Sequence, residues 1–216
     1  MDGLDLAAFR ATPLTDRPFP YLVVPGFIRP EARPAINADF PQIDSPGSFP
    51  TRQLRFGPAF QALLDALQGP EVRAAFEEKF GLDLGGRPTV VTVRGRCGKR
   101  DGQIHTDTAS KIITVLIYLN PAWEEAGGRL RLLRSAHDLE DVLVEVPPEE
   151  GTLVAFRRSV NSFHGHKPFV GPRRVIQLNW VTGRFSSHWG LMRHHLSAWA
   201  KRLVAAVRPQ PSGKVS

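Results

Sequence analysis

Ile104-His105-Thr106-Asp107, followed closely by Ile112-Ile113-Thr114-Val115-Leu116-Ile117-Tyr118-Leu119, is the stretch that decides the fold. Ile112 to Leu119 is the most apolar run in the chain, and its β-branched content predicts a strand. In extended backbone, side chains two residues apart share a face, so His105 and Asp107 can both point at one ion. A second imidazole then has to come from another strand. Two histidines and one carboxylate on one face of an octahedral metal leave three positions open, the arrangement used by non-haem Fe(II) oxygenases.

Around that stretch the chain reads as a mostly antiparallel β region. Short β-branched runs occupy residues 89–93, 111–119, 129–133, 142–146, 152–156 and 174–182, with Gly127-Gly128, Pro147-Pro148 and Glu150-Gly151 between them as turn chemistry requires. Six or more strands at this spacing suggest a sandwich, jelly roll or barrel. Upstream, residues 19–24 read as a short strand and a helix is expected from Pro30 to about Asp39. Residues 41–58, rich in Pro, Gly and Ser, read as an irregular surface segment covering the site. Phe60, Leu63, Leu64 and Leu67, then Val72, Ala75, Phe76 and Phe80, recur at helical spacing and predict two successive amphipathic helices. After Gly183 the pattern is helical again, with Leu191, Leu196, Trp199, Leu203 and Val207 apolar.

The expected fold class is therefore α+β. A single domain spans 1–208, with a helical N-terminal part over 1–87, a β core over about 88–183 and a C-terminal helix over about 188–208; residues 209–216 form a disordered tail. A chain of 216 residues can bury such a core without staples. The single cysteine, Cys97, excludes an internal disulfide framework. The opening Met1-Asp2-Gly3-Leu4-Asp5 lacks the basic and apolar regions of a secretory signal, so a cytoplasmic protein is expected. No apolar run approaches the roughly 20 residues of a membrane helix, so no membrane partner is expected. The formal charge of +7 is scattered rather than gathered into a stripe, which argues against a nucleic-acid partner.

From about Thr89 to Val181 the chain resembles the prolyl-4-hydroxylase-like branch of the Fe(II)/2-oxoglutarate dioxygenases. The residues that carry the resemblance are His105-Thr106-Asp107; Tyr118-Leu119-Asn120 with Trp123 and Gly127-Gly128; His164 with Pro168; and Arg174 with Trp180. Pro18 to Phe27 is similar, more weakly, to the first strand of bacterial members. The resemblance implies a double-stranded β-helix (a jelly-roll, cupin-like fold), Fe(II) with 2-oxoglutarate and O2, and ascorbate as an accessory reductant. It also implies an oxidoreductase that hydroxylates a peptide, an amino acid or a small molecule, forming succinate and CO2.

Taken alone, a His-x-Asp triplet is as readily a loop histidine and a turn cap. Its position at the mouth of an apolar strand, with a further histidine on another predicted strand, favours the metal. Phe163-His164-Gly165-His166 offers two histidines on one face. The family spacing, proline at +4 and a basic residue at +10, selects His164 to complete the metal set with His105 and Asp107, and His166 is left to the pocket wall or the surface. For the distal carboxylate of 2-oxoglutarate a planar guanidinium is suited, and Arg173 and Arg174 compete. With Arg174 inward the same face carries Ile176, Leu178 and Trp180, an apolar wall; the other register puts Val175, Gln177 and Asn179 inside, which suits only amides that contact substrate. The Arg-to-Trp spacing of six also resembles the family, so Arg174 is chosen. By resemblance Tyr118 binds the same carboxylate; a core tyrosine bonded to a backbone carbonyl is the alternative.

Arg94, Arg96, Lys99 and Arg100, in and before the loop that leads into His105, point to an anionic substrate. Three alternatives stand beside this reading. A cupin-like metal enzyme without 2-oxoglutarate would leave Arg174 unexplained. A nucleic-acid demethylase of the same superfamily would resemble it with a second arginine at position 180, where this chain has Trp. A non-enzymatic β-helix binding module would be expected to have lost a ligand position. Nothing in the sequence sets the oligomeric state.

Overall fold

The computed structural model describes residues 3–183. The N-terminal part holds four α-helices, interspersed with two short strands: α1 (Leu6–Ala11), α2 (Arg33–Ala38), α3 (Pro58–Leu67) and α4 (Pro70–Phe80). Proline at the first helical position starts α3 and α4, where its missing N–H would have had no partner. Gly81, at φ 59°, closes α4 in the left-handed conformation that glycine adopts without strain.

Nine strands follow the sequence pattern with additions. They are β1 (Tyr21–Val24), β2 (Phe49–Pro50), β3 (Thr89–Cys97), β4 (Lys111–Tyr118), β5 (Leu130–Leu133), β6 (Val142–Val146), β7 (Leu153–Arg157), β8 (His164–Gly165) and β9 (Gly171–Val181). They form a six-stranded sheet, ordered β1-β7-β4-β9-β3-β2, and a three-stranded sheet, ordered β6-β5-β8. Every strand pairing in both sheets is antiparallel. This is the jelly-roll form expected of the β region. The segment 41–58 contributes β2, which pairs with β3, so it is less irregular than its composition predicts.

Alternation along the central strands divides the interior in two. Ile113, Val115 and Ile117 of β4, with Ile176, Leu178 and Trp180 of β9, pack towards Phe60, Leu64, Leu67, Phe76 and Phe80 of the helices. Tyr118 of β4, Val154 and Phe156 of β7 and Val175 of β9 face the second sheet, where Leu130, Leu132 and Val146 meet them. Each large apolar side chain so buried contributes about 1.5–3 kcal/mol.

This division corrects the register inferred for β9. The apolar face of Ile176, Leu178 and Trp180 does not line the inside of the β-helix; it is the outer face, on which α4 packs, with the Trp180 and Phe76 rings 4.8 Å apart. Amphipathic helices need an apolar surface to cover, and that face of β9 supplies it. The inner face is left to Arg173, Val175, Gln177 and Asn179. The C-terminal helix expected over 188–208 and the tail over 209–216 lie outside the described residues.

Candidate metal centre

His105 and His164 are brought together by backbone pairing. Each donates its N–H to the other's carbonyl, at 3.0 and 2.9 Å, which places their rings 4.3 Å apart and extends the smaller sheet by one bridge. Asp107, two residues on, lies on the same side, as alternation requires. The side chains of His105, Asp107 and His164 each offer a ligand atom within 4.8 Å of the other two.

Protonation suits the three as a donor set. Nδ1 of His105 lies 2.9 Å from the Gln103 carbonyl and Nδ1 of His164 lies 3.0 Å from that of Ser162. A carbonyl can only accept, so both Nδ1 atoms carry the proton and both Nε2 lone pairs are free, the arrangement that fixes a metal-ligating imidazole. Burial pushes the His164 pKa down to about 4, so the ring is neutral at pH 7. Burial raises the Asp107 carboxyl, but the Lys111 charge and the hydrogen bonds from Lys111 and Thr114 outweigh it, and its pKa lies below the ordinary value. Lys111 Nζ stands 2.6 Å from Asp107 Oδ1, and the Thr114 hydroxyl 2.5 Å from Oδ2. Arg158 Nε donates to the Asp107 backbone carbonyl at 3.2 Å, fixing the loop that carries the carboxylate.

The triad opens into a cleft of about 390 Å³ between the two sheets, lined on the β9 side by Arg173, Val175 and Gln177. Arg173 is 5% exposed, donates through Nε to the Gly128 carbonyl at 2.8 Å and through Nη2 to the Tyr118 hydroxyl at 3.3 Å, and has no carboxylate partner among the described residues. A buried guanidinium without a counter-charge is costly unless an anion completes it. Arg174 is placed elsewhere: its guanidinium lies over the Phe40 ring, 4.9 Å from the centroid, and its backbone N–H is held by the Asn120 side chain at 2.7 Å. The expectation that Arg174 faces the cleft is therefore corrected to Arg173, because the register of β9 is the opposite one. Burial pushes the Tyr118 hydroxyl up, with Arg173 acting against it, so the group stays a neutral phenol.

His166 shares the cleft with the triad but lies outside the three-residue group, its Nδ1 2.8 Å from the Lys167 carbonyl. Lys111 and Thr114 have no role in the sequence argument, and Gln177 enters it only through the alternative register of β9, with Val175, Gln177 and Asn179 inward. The only signal for the first two was a lysine and a threonine bounding and interrupting the most apolar run.

Residues 95–182 match the family model described as the 2OG-Fe(II) oxygenase superfamily. This segment belongs to that superfamily. Members of that superfamily use Fe(II), 2-oxoglutarate and O2, so residues 95–182 form an oxidoreductase domain of the dioxygenase type. No curated protein matches the sequence. Among solved structures the fold is similar to a prolyl-4-hydroxylase from Pseudomonas putida, with 17% identity, 76% of this chain and 85% of the other covered, and a TM-score of 0.53. An oxidoreductase of the 2OG-Fe(II) oxygenase family from Burkholderia pseudomallei is similar at 17% identity, 82% and 90% coverage and a TM-score of 0.51. A collagen prolyl hydroxylase from Paramecium Bursaria Chlorella virus-1, solved with 2-oxoglutarate, is similar at 16% identity, 75% and 96% coverage and a TM-score of 0.50. The demethylase alternative gains nothing at position 180, since Trp180 is buried against the helices rather than turned to the cleft.

Proposed function

We propose that the protein is a 2-oxoglutarate-dependent hydroxylase in which His105, Asp107 and His164 hold Fe(II), and Arg173 with Tyr118 holds the distal carboxylate of 2-oxoglutarate. The observation that carries this reading is the pairing of a neutral-imidazole and carboxylate triad with a buried guanidinium that lacks an anion, in one cleft. Iron, 2-oxoglutarate and O2 would supply the oxidising chemistry, giving succinate and CO2 and placing one oxygen atom in a substrate C–H bond.

The chain's own part is positioning and charge. Carbonyls of Gln103 and Ser162 keep the imidazoles in the Nε2-free tautomer, and Thr114 steadies the carboxylate. Arg173 fits a planar carboxylate, with its Nε anchored on Gly128 so that the other nitrogens stay directed into the cleft. Leu116, Leu130 and Val175 at that end keep water away and strengthen the charge pair. Two structural neighbours are prolyl hydroxylases, which supports a peptide, amino acid or small-molecule substrate. A buried free thiol, Cys97, supports the proposed cytoplasmic setting. We extend the same proposal to the domain: the helical part and the β-helix act as one unit.

The test is succinate release by anaerobically purified protein given Fe(II), 2-oxoglutarate, ascorbate and air. Asp107→Ala, which removes the only anionic ligand, is expected to abolish it. Metal-dependent succinate at wild-type level from that variant would defeat the assignment.

A further inference from the structure

The charges that line the cleft do not cancel once its expected occupants are present. Four cationic side chains, Arg94, Arg100, Lys111 and Arg173, face it against two carboxylates, Asp101 and Asp107. Arg94 is paired with Asp101 at 2.8 Å and Lys111 with Asp107 at 2.6 Å. A divalent ion and dianionic 2-oxoglutarate neutralise each other, so the same excess of two positive charges remains. With Arg173 engaged by 2-oxoglutarate, that excess falls on Arg100, exposed and without a carboxylate partner among the described residues, and on Lys111.

Lys111 is the informative one. Its side chain is 15% exposed and its partner's 7%, so the ion pair is largely out of water. Both oxygens of Asp107 are occupied, one by the Thr114 hydroxyl, fixed on a central strand, and one by an ammonium on a flexible four-carbon stem. A metal bound at Asp107 competes with the ammonium, and the ammonium is the partner free to leave. It is then a half-buried cation beside the metal, next to Thr114 and Gln177, with nothing of opposite charge to replace the carboxylate. The apolar lining residues Leu116, Leu130 and Val175 surround Tyr118 at the other end.

We propose that the prime substrate carries a compact oxyanion, a carboxylate or a phosphate, and that Lys111 binds it after exchanging Asp107 for this group. Lys111 is thereby a specificity residue of the same cleft, and the inference rests on the oxygenase reading given above. It makes Lys111 a competitor of the metal in the empty site and an anion receptor in the loaded one.

The experiment uses redox-inert Mn²⁺ in place of iron. Mn²⁺ and then 2-oxoglutarate are titrated calorimetrically into wild type, Lys111→Met and Lys111→Arg. The loaded proteins are next mixed with inorganic phosphate or acetate, and paramagnetic relaxation of the phosphate ³¹P and acetate methyl ¹H signals is recorded. Lys111→Met is expected to bind Mn²⁺ roughly tenfold or more tightly, because a competing cation is gone, and to lose the relaxation enhancement that wild type and Lys111→Arg show. Whichever probe is enhanced names the anionic group. Unchanged Mn²⁺ affinity in Lys111→Met, equal enhancement in that variant, or no enhancement of either probe in wild type would overturn the proposal. Failure of wild type to bind Mn²⁺ or 2-oxoglutarate in the first titration would overturn the oxygenase reading itself, and this inference with it.

Discussion

Arg173 donates to the Tyr118 hydroxyl at 3.3 Å, and its guanidinium carbon stands 5.2 Å from the centre of the same ring. The two come from neighbouring strands, β4 and β9, with Tyr118 aligned to Val175. Arg173 lines the cleft beside Leu116, Leu130 and Val175, and Tyr118 stands behind it, fully buried among the same apolar residues. The phenol accepts from the arginine and keeps its own proton to donate, so under the proposed reading a carboxylate bound at Arg173 would meet donors from both.

Replacing that cation should weaken co-substrate binding more than any surface change. Arg173→Ala is expected to cost about 2–5 kcal/mol of 2-oxoglutarate affinity, the usual loss when one partner of a buried charge pair is removed. Arg174→Ala loses only its place over Phe40 and should leave affinity within about 0.5 kcal/mol of wild type. Calorimetric titration of 2-oxoglutarate into the Mn²⁺-loaded proteins decides between them. The reverse ranking would restore Arg174 as the binding residue.

Tyr118→Phe keeps the ring and removes the hydroxyl. One hydrogen bond contributes about 0.5–1.5 kcal/mol, so the 2-oxoglutarate dissociation constant should rise by several-fold while the metal affinity stays unchanged. An effect on metal rather than co-substrate would place the phenol in the wrong part of the cleft.

Neutral His164 links folding to pH. Its folded-state pKa of about 4 lies below the ordinary value of 6.5, so the unfolded chain binds the extra proton first as pH falls. The stability contributed by the buried neutral ring is complete above about pH 6.5 and is lost progressively down to about pH 4, with a slope of at most about 1.4 kcal/mol per pH unit for this one group. Urea unfolding of the metal-free protein at several pH values in that window, beside His164→Asn, should give a shallower dependence in the variant. Parallel curves would mean that His164 is not the group responsible.

Gly102 lies against His166 with φ at +95°, and a Cβ there would meet the His166 carbonyl at 2.4 Å. Its own carbonyl accepts the His166 N–H at 2.9 Å, so this contact seats the loop leading into His105. Gly102→Ala is expected to destabilise the fold by about 1–3 kcal/mol, since neither the backbone conformation nor the approach tolerates a side chain. It should also weaken Mn²⁺ binding through displacement of His105. Thermal unfolding and metal titration test the two effects separately.

Much of this site was legible because it is local. Alternation alone puts His105 and Asp107 on one face, and the apolar run beside them announces the central strand β4 that carries Thr114 and Tyr118. The helices α3 and α4 announce themselves by apolar spacing and by the prolines that start them. A long-range pairing is another matter: that His105 and His164 exchange hydrogen bonds follows from sheet assembly, and sequence reached His164 only through family spacing. The face of β9 was decided by tertiary structure alone. Period-two alternation says that Arg173 and Arg174 point opposite ways but is silent on which way is inward, and the more apolar face went to the helices that had to be covered. The partner of Lys111 was equally out of reach, because a lysine four residues from an aspartate across a loop has no fixed geometry until the sheet holds both ends.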